Sequence, residues 1–143
     1  MQDDLRVNVD EISAAGLGSL VNVAVAVAAA DGETSGEEHQ AIAERLGALL
    51  GGDAETAETL IEQAFMTVVQ KDQASIFEEA GATLDGESRE HAFTIACAVA
   101  ARAGGIGMKE GIALQALARA LDIGYPSGKY NELLGKGMRL AKG

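Results

Sequence analysis

The sequence predicts an all-α protein: a single bundle of about seven helices with an internal two-fold repeat. Three observations carry that reading. Apolar residues recur at helical spacing through most of the chain. The composition is 48% hydrophobic but only 3% aromatic, with one proline, which favours closely packed helices over a β-sandwich. The third is a correspondence between the two halves of the chain at a period of 73 residues. At 143 residues, one domain spanning 1–143 is large enough to bury a hydrophobic core without a disulfide or metal to hold it.

The first helix is predicted from Ser13 to Ala30, where Ala and Val occupy nearly every face, as in a helix surrounded by other helices. Ser35 to Glu38 reads SGEE, a capping box that starts a second helix running from about Gly36 to Leu50. Gly51-Gly52 ends it, Asp53 can cap the next, and Ala57, Leu60, Ile61, Ala64, Phe65 and Val68 define a third. After Lys71-Asp72, Ile76, Phe77 and Ala80 fall on one side of a short fourth helix that Gly81 is expected to loosen. Asp85 to Glu90 then leads into a second Ala/Val-rich helix, HAFTIACAVAARA, whose acidic start suits the helix dipole. Gly104-Gly105-Ile106-Gly107 interrupts the chain, an amphipathic helix covers Lys109 to Leu121, and Pro126 precedes a last helix to about Ala141. Met66, Met108 and Met138 are expected to fill the core.

The repeat lays Val25–Glu37, with Glu38 following, over Ala98–Glu110, each stretch following an Ala/Val helix and preceding an amphipathic one. It implies two helical halves, about 13–70 and 86–141, packed about a pseudo-twofold axis, with Asp31 on Gly104, Gly32 on Gly105 and Glu37 on Glu110.

A formal charge of −11 and a pI near 4.5 disfavour nucleic acid, whose phosphates are held by Lys and Arg, and suit cations or basic proteins instead. Cys97 is the single cysteine and lies in an apolar helical stretch, so it reads as a small buried hydrophobe in a reducing compartment. The acidic start MQDDLRVNVDE lacks the basic opening of a secretory signal, and the LAKG end carries no targeting motif. The longest apolar run, Leu17 to Ala30, contains Asn22 and falls short of the ~20 residues of a membrane span. A cytoplasmic location follows as the expectation.

The stretch ADGETSGEEH places Asp31, Glu33, Glu37 and Glu38 directly after the first helix. Two readings are open. As punctuation, Gly32 lets the chain leave one helix, Ser35 caps the next, and Glu37 and Glu38 favour the positive end of its dipole. That leaves Asp31 unexplained, a carboxylate at the negative end of a helix and beside Glu33. Four carboxylates are oxygen ligands for a hard divalent cation, Ca²⁺ or Mg²⁺, which is the second reading. The site is not an EF-hand: Asp31, Glu33, Ser35 and Gly36 fit that loop's early positions, but Ile42 stands where its bidentate glutamate belongs.

Other chemistry is sparse. His39 and His91 read as surface histidines without the paired spacing of a zinc site. The glycines at 104–107 follow a helix and lack the Lys-Ser or Lys-Thr of a P-loop. Lys136, Arg139 and Lys142 read as a solvated last helical turn. Two histidines and one buried cysteine assemble no catalytic constellation, so no enzyme is expected.

Helix, AVAAADGETSGEE and IAERLG, in a duplicated helical chain of this length, together resemble the tellurite-resistance protein B (TerB-like) family over about Ser13 to Ala141. The resemblance implies a compact bundle of seven or eight helices without known catalysis. It also implies an association with metal or chemical stress, and divalent-cation binding through acids beside DG turns. Asp31, Glu37 and Glu38 match the acidic positions, whereas in the second half Gly104 and Ile106 replace acids and Glu110 alone is kept. Two functional expectations follow: a divalent-cation protein using Asp31, Glu33, Glu37 and Glu38, or an interaction module without metal whose partner is a basic protein or a membrane-associated complex.

Overall fold

The computed structural model describes residues 14–29, 40, 43, 44, 46–48, 54–84, 86–101, 108–123 and 128–142. Six helices have defined bounds: α1 (Ala14–Ala28), α2 (Ala54–Gln70), α3 (Gln73–Thr83), α4 (Gly86–Ala100), α5 (Met108–Ala120) and α6 (Lys129–Lys142). Helical backbone at 40, 43, 44 and 46–48 marks a further helix between α1 and α2, seven in all, and no strand occurs among the described residues. The all-α expectation holds. The loops that carry the proposed duplication, 30–39 and 102–107, lie outside the described residues.

The architecture is built on two helices that carry long buried apolar stretches, Val23–Ala28 in α1 and Ala92–Ala100 in α4. α1 packs against α2, α3, α4 and α5, while α4 packs against α1, α5 and α6. In α1, Leu20, Val21, Val23, Ala24, Val25 and Val27 have no exposed surface, and Phe93, Ile95, Ala96, Cys97 and Ala98 are equally enclosed in α4. Consecutive buried residues have no polar face to offer, so such a helix is stable only when neighbours surround it. The buried polar residue of this core is Thr94, whose hydroxyl donates to the Glu90 carbonyl at 2.8 Å within the same helix.

α6 lies on α4 through an aromatic and a glycine contact. The Tyr130 and Phe93 rings meet with centroids 5.2 Å apart at a tilt of 51°. One turn beyond Leu133, Gly137 sits so close to α4 that a β-carbon there would stand 2.5 Å from the Cys97 β-carbon and 2.7 Å from the Thr94 carbonyl oxygen. Gly135, two positions earlier, has room: its added β-carbon would approach nothing nearer than the Arg139 guanidinium at 3.5 Å.

α3 begins as its sequence dictates. Asp72 caps it by accepting a hydrogen bond from the Ser75 amide at 2.8 Å, and the bonds from Ser75 hold this exposed carboxyl below the usual aspartate range. Ile76, Phe77 and Ala80 are buried, as their spacing predicts. Lys71 reaches forward to Glu79 at 2.8 Å. Gly81 differs from expectation. It does not loosen the helix, which continues to Thr83; it is the point where α3 crosses α5, and a β-carbon there would overlap the Ala120 carbonyl oxygen.

The ends of α3 and α5 converge on Arg89. Its guanidinium donates to the Gly81 carbonyl at 2.7 Å, to the Leu84 carbonyl at 2.8 Å and, more weakly, to the Leu121 carbonyl at 3.4 Å. These carbonyls belong to helix termini that lack intrahelical donors and carry partial negative charge, so one planar cation serves both. α5 itself ends in a Schellman motif: Ile123 N–H donates to Ala118 at 2.8 Å and Asp122 N–H to Arg119 at 3.2 Å, with Asp122 in the left-handed region at φ 58°.

The methionines depart from expectation. Met66, Met108 and Met138 are 62%, 84% and 39% exposed. On α2 the core-facing positions are taken by Ile61, Ala64 and Phe65, which turns Met66 outward beside exposed Val69. The α1–α4 core is filled by Val, Ala, Leu and Phe, leaving no irregular gap for a long unbranched side chain.

Two outcomes are expected from urea denaturation. Gly137→Ala lowers stability by about 1–3 kcal/mol through overpacking against α4, whereas Gly135→Ala raises it by about 0.5–1 kcal/mol through helix propensity; equal signs would disprove the close α4–α6 approach. Arg89→Lys costs about 2 kcal/mol, because an ammonium group cannot span carbonyls on two helix ends, while Lys109→Arg on the exposed face of α5 is neutral.

Candidate functional site

The acidic stretch is approached from α1, whose first turn has no acidic residue and whose last turn has no basic one. Ala29 N–H donates to the Val25 carbonyl at 2.9 Å, closing the last turn. Asp31, Glu33, Glu37 and Glu38, with His39, lie outside the described residues. Helical backbone is present again at Gln40, whose amide donates to the Glu44 carboxylate at 3.4 Å, and Leu46 is fully buried. In sequence the four acids fall between α1 and the helical residues that follow, of which Leu46 is buried in the core. By residue type alone, carboxylate oxygens are the donors that hard divalent cations such as Ca²⁺ or Mg²⁺ take.

Among the described residues, no three His, Cys, Asp or Glu side chains gather into a metal-binding group. His91 is half-buried on α4, and the neighbouring Glu90 faces Lys129 at 3.8 Å. Glu110, the acid shared by both halves of the sequence repeat, is half-buried in the first turn of α5.

Cys97 has no exposed surface and lies under Gly137. Burial pushes its thiol far above the ordinary range, so it stays protonated and unreactive at physiological pH. Exposed thiolate, the nucleophilic form, is thus denied to it.

Two concavities are lined by described residues. A wide, open groove of about 620 Å³ at the α2–α3 corner is lined by Lys71, Asp72, Ser75, Glu78 and Glu79. Its lysine is already paired with Glu79 and its aspartate already caps α3, so its charges serve the fold. A smaller cavity of about 330 Å³ is formed by Gln115, Ala118, Arg119, Ile123 and Tyr130, where the end of α5 meets α6. Sequence reasoning did not identify it. The available signal was Arg119, a cation in the last turn of α5 one helical turn beyond Gln115.

The burial of Cys97 has a direct readout. A thiol reagent is expected to label the native protein at least about a hundredfold more slowly than the urea-unfolded chain, since labelling must await opening of the α4–α6 contact. Equal rates would contradict the packing of Gly137 over Cys97.

Comparison with known proteins places this arrangement. No curated protein and no solved structure matches the chain significantly. Residues 18–126, well over half of the chain, match the family model described as tellurite resistance protein TerB, and that stretch runs from within α1 through α5. On this match, with its all-helical fold, the chain belongs to the TerB family.

Proposed function

We propose that this TerB-family chain is a non-enzymatic, cytoplasmic protein of the tellurite-resistance and stress-response kind that binds a divalent cation, Ca²⁺ or Mg²⁺, through Asp31, Glu33, Glu37 and Glu38. One observation carries the reading: Asp31 follows α1, a helix with no basic residue in its last turn to offset a carboxylate placed beyond its negative end. A bound cation supplies that compensation. By bridging acids on both sides of the turn, it would also fix the angle between α1 and the helix that Leu46 anchors. No helix among the described residues is long and apolar enough to cross a membrane.

A second reading, an interaction module that holds no metal, draws support from a different observation. Met66 and Val69 on α2, and Met108 and Ile112 on α5, are between 62% and 87% exposed. Large apolar side chains left in water in such pairs are a recurring feature of partner-binding surfaces. The net charge of −11 suits a basic protein or the basic face of a membrane-associated complex as that partner.

Titration of chelator-treated protein with Ca²⁺ and Mg²⁺, followed by melting curves, separates the two. Cation binding is expected to stabilise the fold by about 2.7 kcal/mol when free metal is a hundredfold above its dissociation constant, and Asp31→Asn to remove most of that gain. If the acids only punctuate the chain, metal leaves the melting temperature at its ionic-strength control, Asp31→Asn is neutral or stabilising, and Ser35→Ala alone costs about 1 kcal/mol.

A further inference from the structure

The cavity where α5 ends against α6 is independent of the acidic stretch, and its walls divide cleanly by chemistry. Its floor is apolar: Ala118, Ile123 and the Tyr130 ring are 4%, 9% and 6% exposed. Its rim carries Gln115 and Arg119, both exposed and four residues apart on α5, so their amide and guanidinium overhang the same opening. Neither side chain makes a hydrogen bond or ion pair with any described residue, whereas Arg89, Lys71 and Lys129 are all engaged.

Among the described residues, the backbone amides at the end of α5 are already engaged. The Schellman motif uses the amides of Asp122 and Ile123 on the carbonyls of Arg119 and Ala118, so these two amides are not offered to a ligand. It also fixes the rim. Asp122 is held at φ 58°, so Ile123 turns back over Ala118, while the Tyr130–Phe93 ring contact holds Tyr130 against α4.

From this geometry we infer that the cavity binds a small organic carboxylate with a compact apolar or aromatic body. The carboxylate would pair with the planar Arg119 guanidinium, which offers two parallel N–H donors, and accept a further hydrogen bond from the Gln115 amide. The apolar body would lie against Ile123, Ala118 and Tyr130. A volume of about 330 Å³ admits a molecule of one or two rings and falls at the lower end of small-ligand pockets.

The test uses naphthylacetate as the probe and naphthylacetamide as its neutral isostere, each titrated into isotope-labelled full-length protein and followed by amide chemical shifts. A ligand of this size is expected to bind with a dissociation constant on the order of 1 mM. Shifts should concentrate at Arg119, Ile123 and Tyr130, and the amide should bind about tenfold more weakly or not at all. Arg119→Gln should weaken the acid by about tenfold while leaving the amide unchanged, and Lys109→Gln, on the same helix but outside the cavity, should change neither. Arg119 is exposed, so its variant is expected to fold, and an unchanged circular-dichroism spectrum verifies this. Acid and amide binding alike, an Arg119→Gln protein that binds the acid as before, or shifts absent from these residues would each overturn the inference. Because metal has no part in any arm, the outcome is separate from that of the cation reading.

Discussion

The contact between α1 and α4 is the constraint on which the remaining structure depends. Leu20–Ala28 of α1, apart from half-buried Asn22, and Ala92–Ala100 of α4 are buried, so these stretches cannot stand at a surface and must be enclosed by neighbouring helices. Alanine and valine make the contact short. Small side chains permit close helix packing, and α2, α3, α5 and α6 close the core around the central pair. The amphipathic character of those outer helices follows from this placement: one face meets the central pair and the other meets water.

Enclosing two buried helices brings several helix ends together, and helix ends carry unpaired backbone groups that cannot be buried without partners. The fold answers at three places by three means. Asp72 supplies a side-chain acceptor at the start of α3, the Schellman turn closes the end of α5 with its own backbone, and Arg89 spans the gap between the two C-terminal ends. Side-chain polar atoms buried without a partner are absent from the described residues. The glycines belong to the same solution, since Gly81 and Gly137 allow helices to cross at distances that any β-carbon would prevent.

Helix existence and order were legible in the sequence because they depend on periodicity, which is local. α2 and α3 begin at their expected positions, α1 ends two residues short of its expected limit at Ala30, and the burial of Cys97 followed from its apolar surroundings. What escaped reading depends on contacts between segments far apart in the chain. Arg89 looks like one charge in the mixed run SRE, and only the meeting of Gly81, Leu84 and Leu121 around it reveals its role. Gly81 resembled a helix breaker because its partner, Ala120, is 39 positions away. The methionines were misjudged because hydrophobicity alone does not say on which side of a helix a residue falls. The acids from Asp31 to Glu38 were singled out by their crowding in the sequence and lie outside the described residues. The cavity at Arg119 was not legible, since it arises only when the end of α5 is brought against Tyr130.

Thr94 has a consequence for how freely this sequence can change. Its hydroxyl is satisfied by Glu90 one turn back in its own helix, so it makes no demand on α1 or α6. At Thr94 the register of the central helices is consequently left to the shapes of the surrounding apolar side chains. A core specified by volume accepts many compensated exchanges among Ala, Val, Leu and Ile, provided that the total is kept. Substitutions that would break a buried hydrogen-bond network elsewhere can accumulate here as neutral drift, and the helix crossings at Gly81 and Gly137 then become the positions least free to vary.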